Sequence, residues 1–329
     1  MQLDLPGLIA ERVAGSAPAA DVRALVDRLV AQAGPLVQAA VFFGSRRSGA
    51  ATDEWSAYDM FVVVDRYRPF YAALRAGNVT ARPVGLLTTA SVVLPPTQVL
   101  LQGSPDSGQR AKCSVISARH FERETSRQRH DHFCAARLFQ PTQLVYARDS
   151  AARELALAGV VAAHRATFEW SRPFLPETFD AAEYTRRLLE VSLRAEIRPE
   201  PGGRARQLWE AQRDYLVEVY SALLAELAQA GQLEPAGAGR YRLAQPVSAA
   251  SRLRVWVYFR SSLVRTTLRW GKHVLSFEGW LDYIVQKVAR HGGGVMTLSE
   301  RERRWPLVFL WPRAIRYLRA KRRADGTRP

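Results

Sequence analysis

The feature that most constrains this chain is a pair of short apolar runs joined by a polar, glycine-containing loop. Val41-Phe42-Phe43 ends in Gly44-Ser45, and fourteen residues after Ser45 an acidic residue, Asp59, opens Met60-Phe61-Val62-Val63-Val64. Runs of this length and composition read as strands. Gly44 has no Cβ, so the backbone there can come close to a phosphate. The turn can aim N–H groups and the Ser45 hydroxyl at phosphate oxygens. A carboxylate at Asp59 can hold Mg²⁺ against those same oxygens. The plainer account is an ordinary turn followed by a strand-opening acid.

The surrounding pattern places these runs in a mixed α/β domain. Residues 20–33 carry apolar positions at helical spacing, and strands are expected at about 38–43 and 58–64. A short helix is expected over Tyr67 to Ala76, then strands over Val93–Gln102 and Ala111–Ile116. Ser117 is the expected N-cap of a helix running to about Leu138, and Gln143–Tyr146 reads as one more strand. From Asp149 the pattern turns helical, at roughly 150–168, 179–194 and 204–230. The Gly-rich segment from Leu233 suits a small wing, so the second part reads as winged-helix-like. Helical patterns resume at about 248–273 and 276–290, before Gly292-Gly293-Gly294. The division expected is therefore 1–147, 148–246 and 247–329.

Charge adds a partner. The net charge is +16, and the stretch from Arg301 to Pro329 holds ten basic and two acidic residues, a net +8. Such an excess calls for an anionic partner: nucleic acid, lipid or polyphosphate. Trp305–Trp311 is apolar but too short to span a bilayer, and aromatic and aliphatic residues alternate with arginines beyond Pro312. That tail reads as a peripheral anchor on an anionic membrane surface. No long apolar run and no leader pattern stands out, so a cytoplasmic protein is expected, peripheral on the inner face of a bacterial cell membrane. Cys113 and Cys134 make neither a disulfide framework nor a metal set.

Several segments agree with one family. The Gly44-Ser45…Asp59 spacing is that of the nucleotidyltransferase superfold, whose second strand usually reads Asp-x-Asp; here Ala57 takes the first position. The segment Lys112-Cys-Ser-Val-Ile-Ser117, with Ala135-Ala136-Arg137-Leu138-Phe139-Gln140-Pro141, resembles Lys-Tyr-Gly-Val-Ile-Ser and Ala-Gly-Arg-Leu-Gln-Lys-Pro. Those are segments of the mitochondrial-type phosphatidate cytidylyltransferases, the mitochondrial translocator assembly and maintenance proteins, and their bacterial relatives. Asp65 and Asn78 also fall at positions resembling the family pattern, as does Leu175–Phe179. The family likewise carries one Asp at the start of its second strand. The likeness covers roughly residues 40–195 and implies a nucleotidyltransferase domain, a winged-helix domain and a C-terminal membrane-binding segment. The implied reaction is CTP plus phosphatidate giving CDP-diacylglycerol and pyrophosphate with Mg²⁺, a step of phospholipid and cardiolipin biosynthesis.

On that footing Asp59 is the expected metal ligand and, with Lys112, a catalytic residue. Gly44, Ser45, Lys112 and Arg137 are the expected nucleotide-binding residues, with Arg46, Asp65 and Asn78 as further candidates. Asp53 and Glu54 in the loop are weaker candidates for the metal. His120, His130 and His132 lack matching carboxylates or cysteines and are assigned no zinc. Two other readings stay open: a nucleotidyltransferase acting on a different acceptor, and a non-catalytic basic winged-helix protein that binds nucleic acid.

Overall fold

A computed structural model describes residues 4–49, 57–103, 109–194, 204–276 and 299–304. Two helices lead in: α1 (Leu5–Ala14), capped by Asp4, and α2 (Ala20–Ala33). Strands β1 (Val37–Phe43) and β2 (Tyr58–Val64) follow, then α3 (Tyr67–Ala76), α4 (Val84–Val93), β3 (Thr97–Gln102) and β4 (Arg110–Ser117). Helices α5 (Ala118–Thr125) and α6 (Ala135–Leu138) lead to β5 (Gln143–Ala147). The sheet order is β3-β4-β2-β1-β5; β2 and β4 run parallel, and the other pairs are antiparallel. This is the expected mixed sheet with helices.

Strand alternation sorts the sheet into two faces. Met60, Val62 and Val64 of β2 pack with Val22, Leu25, Phe70 and Tyr71 of α2 and α3. Phe61 and Val63 face the other way, into a cluster with Phe121, Phe133, Tyr184 and Tyr220. That second cluster runs from Leu5 to Leu233, so one apolar core spans residue 147.

The helical part holds α7 (Ser150–Arg165), capped by Asp149, α8 (Thr167–Ser171), α9 (Ala181–Arg194) and α10 (Arg204–Gln229). A hairpin of β6 (Leu233–Pro235) and β7 (Tyr241–Leu243) closes it, and Tyr241 also bridges Phe179. Helix α11 (Ala249–Ser276) then crosses back to pack on α4 and β3.

Two elements differ from the sequence reading. The strand expected to start at Val93 starts at Thr97, because Val93 ends α4 and Pro95–Pro96 make the turn. The single helix expected from Ser117 to Leu138 is two. Ser117 does cap α5, accepting from His120 N–H at 3.4 Å, but the helix stops at Thr125. Glu124 then takes the His130 N–H and ring, and Asp131 Oδ1 takes the Phe133 N–H, so local side-chain acceptors replace the helical ones. Helices α1 and α4 were not expected at all. The segments 276–290 and 305–329 lie outside the described residues, apart from Ser276 itself.

Candidate functional site at the mouth of β1, β2 and β4

Strand register builds the site. Phe43, the last residue of β1, pairs with Asp59 on β2, and Asp59 pairs with Lys112 on the parallel β4. The chain then turns at Gly44, where φ is +88° and only glycine is at ease. Arg47 and Ser48 both donate backbone N–H to Gly44 O, and Ser48 Oγ donates to Ser45 O at 3.3 Å. Gly44 also makes room: a Cβ there would lie 2.8 Å from Asp59 Oδ2. Glycine thus lets backbone and carboxylate share one mouth.

Lys112 Nζ lies 3.8 Å from Asp59 Oδ1, with the two side chains 18% and 29% exposed. Partly exposed, they form a cation and an anion at the open end of the sheet. Asp59 Oδ2 faces the glycine turn. Mg²⁺ commonly takes one or two carboxylates and completes its shell with water and substrate phosphates. A single Asp beside a Gly turn fits that demand, with the phosphates supplying other oxygens. Among the described residues no group of three or more His, Cys, Asp or Glu is placed to hold a metal. Asp53 and Glu54 lie outside the described residues.

Arg137 sits on the same face of the sheet. Its guanidinium lies 3.7 Å from the centroid of the Phe133 ring and donates to Phe133 O at 2.7 Å. Phe133 meets Phe61 edge-on, 6.3 Å between centroids, and Phe61 is two residues along the strand from Asp59.

Three expected residues are not brought to this mouth. Arg46 turns to the opposite face, donating to the Tyr58 hydroxyl at 3.0 Å; Tyr58 in turn donates to Asp21 at the start of α2. Asp65 follows the far end of β2, where it takes Gln38 and Arg148 as donors. Asn78 follows α3, which packs on the α2 face; its φ of +55° makes it a helix-ending residue in the left-handed region, where Asn is favoured. Each keeps a structural partner or backbone task away from Asp59. The histidines are also separated: His120 meets Tyr67, His130 meets Glu124, and His132 lies between Tyr258 and Ser192.

Sequence reasoning missed a second set of charged residues on α11. Asp131 is 3% exposed and accepts from Arg265 Nε at 2.9 Å and from Arg269 Nη2 at 2.8 Å. Burial pushes its carboxyl up, but the Arg269 charge and the two arginine hydrogen bonds outweigh that and hold it below the usual range. Lys272 donates to Leu94 O, Pro96 O and Thr97 Oγ1, which ties α11 to the turn before β3. Burial, then the Arg269 charge, hold Lys272 well below the usual lysine range. The one signal in the sequence is that α11 carries five arginines and a lysine with no acid.

No protein-family model matches the chain, and no curated protein matches it.

Proposed function

We propose that the chain is a Mg²⁺-dependent nucleotidyltransferase, specifically a CTP:phosphatidate cytidylyltransferase that releases pyrophosphate. The observation that carries it is the convergence of a positive-φ Gly44, Asp59 and Lys112 on one strand end. A triphosphate needs a close backbone approach, a carboxylate to seat the metal, and a compact cation. In this reading Asp59 holds Mg²⁺, Gly44 and Ser45 cradle the phosphates, and Lys112 and Arg137 neutralise them. The metal supplies charge neutralisation at the transferring phosphorus, and the protein supplies position.

The choice of acceptor rests on motif likeness and charge. Among the described residues no helix is long and apolar enough to cross a membrane. Helix α11 nevertheless exposes Leu253, Trp256, Val257, Val264 and Leu268 beside the exposed Arg252, Arg254 and Arg260, while Arg269 and Lys272 are buried. That composition suits the headgroup region of an anionic bilayer. We take the hairpin after α10 as the wing of a winged-helix unit, used here as scaffold and not for nucleic acid. The proposed tail anchor lies outside the described residues.

The test is a thin-layer assay with labelled CTP, Mg²⁺ and an acceptor panel of phosphatidate, an alcohol, an aminoglycoside and RNA. A lipid-soluble labelled product from phosphatidate alone is expected. Label on another acceptor keeps nucleotidyl transfer and removes the lipid. No product from any of them, together with salt-dependent nucleic-acid binding, removes the enzyme reading.

A further inference from the structure

Four buried polar atoms on one face of the sheet have no hydrogen-bond partner. Ser114 Oγ is one; Arg269 Nε and Nη1 are two more; His273 Nδ1 is the fourth. Ser114 is 1% exposed and Arg269 also 1%. Buried donors without partners are rare in native proteins, and each calls for an explanation. Here they lie on one side of the sheet and are linked through Phe61 and Phe133. Ser114 pairs in register with Phe61 on β2. Phe61 meets Phe133 edge-on, and the Phe133 ring is flanked by Arg137 at 3.7 Å and Arg269 at 4.5 Å. His273 lies one turn beyond Arg269 on α11, and its imidazole is pushed down to about 3 by burial and by Lys272, Arg269 and Arg137.

The charge balance is one-sided. Among the described residues Arg265 and Arg269 share one carboxylate, Asp131, whose Oδ2 serves both and whose Oδ1 serves Phe133 N–H. Lys272 is satisfied by three oxygens of the Leu94–Thr97 turn. Arg269 is not: Nη2 donates to Asp131 and Pro95 O, while its other two nitrogens face no acceptor. Buried cations in excess of their counter-ions are costly. An acceptor-only anion would satisfy all of these groups, and a phosphate presents oxygens in the geometry a guanidinium fork prefers.

Position decides what the anion does. Ser114 lies two residues beyond Lys112 on the same face of β4, about 7 Å further from the strand mouth. We infer that Ser114, Arg269 and His273, with Arg137 at the rim, form a second anion site that takes a phosphomonoester dianion beside the site at Asp59 and Lys112. If the chain transfers nucleotides, this is where the acceptor's phosphate waits, next to the phosphorus it attacks. The inference rests on that reading for its role but not for its binding chemistry.

The experiment is calorimetric titration of the full chain, without nucleotide, using inorganic phosphate, glycerol 3-phosphate and a short-chain phosphatidate below its micelle concentration. The variants are Arg269→Lys, which keeps the charge but loses the fork, and Ser114→Ala, which removes only an unpartnered hydroxyl and is expected to fold. Each is expected to weaken phosphomonoester binding about tenfold, the lower end for a charge-assisted hydrogen bond. Tighter binding of phosphatidate than of glycerol 3-phosphate assigns the site to a lipid headgroup with its chains seated. Equal binding keeps the site and assigns it to the phosphomonoester alone. Unchanged binding in folded Ser114→Ala and Arg269→Lys overturns the inference. Binding that depends on these residues in a chain that transfers no nucleotide keeps the site and sinks the transferase reading. Transfer with an acceptor KM indifferent to both variants does the reverse.

Discussion

Two acid–base pairs lie on one face of the same sheet and are held in opposite ways. Asp59 and Lys112 meet at 3.8 Å with side chains 29% and 18% exposed, whereas Asp131 and Arg269 meet at 2.8 Å with both almost fully buried. Strand register brings the first pair together, and its long, partly exposed contact can be exchanged for a metal and a phosphate at small cost. The second is locked by a second arginine and a backbone N–H, and removing either member strands a charge in the interior. A site that must bind and release charge is built from the loose kind. The tight kind holds α11 against the sheet and fixes where the remaining Arg269 nitrogens point.

Asp59→Asn should have the largest effect on transfer and almost none on folding. The shape is kept and the metal-binding charge is lost, so turnover should fall by about a thousandfold, the upper end for losing one electrostatic stabiliser. Thermal unfolding should stay near that of the parent. Near-normal turnover at ordinary Mg²⁺ would remove the distinction between the two pairs.

Asp131→Asn tests the other half. It leaves Arg265 and Arg269 buried without their carboxylate and should cost about 3–5 kcal/mol in urea unfolding. A loss below about 1 kcal/mol would mean that the buried pair is no tighter in energy than a surface one.

How much of this was legible follows from sequence distance. Val41–Ser45 and Asp59 carry their signal locally, in strand composition, a glycine and an acid at a fixed spacing, and the strands formed where those residues put them. Lys112 reached Asp59 because an apolar segment next to it joined the sheet in parallel. Arg46 and Asn78 lie on the other face because one residue of strand or helix phase decides which face a side chain takes, and sequence spacing does not fix that phase for loop and end residues, whereas Asp65 lies past the far end of β2, six residues from Asp59. The Asp131 cluster was invisible. Arg269 lies 138 residues from Asp131, and nothing local distinguishes it from the other arginines of α11. The break after Thr125 was missed for the same reason, since Asp131 and His132 take up their positions against α11.

His164 provides a measure of burial without ionic partners. It is fully buried, donates Nδ1–H to Val160 O and takes the Tyr215 hydroxyl at Nε2, and burial pushes it down to about 4 despite the hydrogen bond. Above about pH 6.5 both folded and unfolded states are neutral there; below it only the unfolded chain gains the proton, so stability falls between about 6.5 and 4. The loss should reach about 2 kcal/mol at pH 5. In His164→Gln the difference in unfolding free energy between pH 8 and pH 5 should shrink by that amount, even though the variant is less stable at both. An unchanged difference would place the acid sensitivity elsewhere, with His273, whose imidazole burial pushes down to about 3, the first suspect.

The smallest effect concerns how the loose pair is kept loose. Gly44 has φ +88°, and a Cβ built on it would lie 2.8 Å from Asp59 Oδ2 and 3.2 Å from Asp59 Cβ. Gly44→Ala should therefore cost about 1–2 kcal/mol for the left-handed backbone alone. The contact adds a separate effect, because the carboxylate must turn away from the mouth, and turnover should fall further than the lost stability explains. A double-mutant cycle separates the two. In an Asp59→Ala background the carboxylate is gone, so Gly44→Ala should cost less there, with a coupling of about 0.5–1 kcal/mol. Additive costs would mean that glycine is needed only for its backbone angle. The close approach of turn and carboxylate, which is what makes this strand end suited to a metal-bound phosphate, would then have no part in the choice of residue.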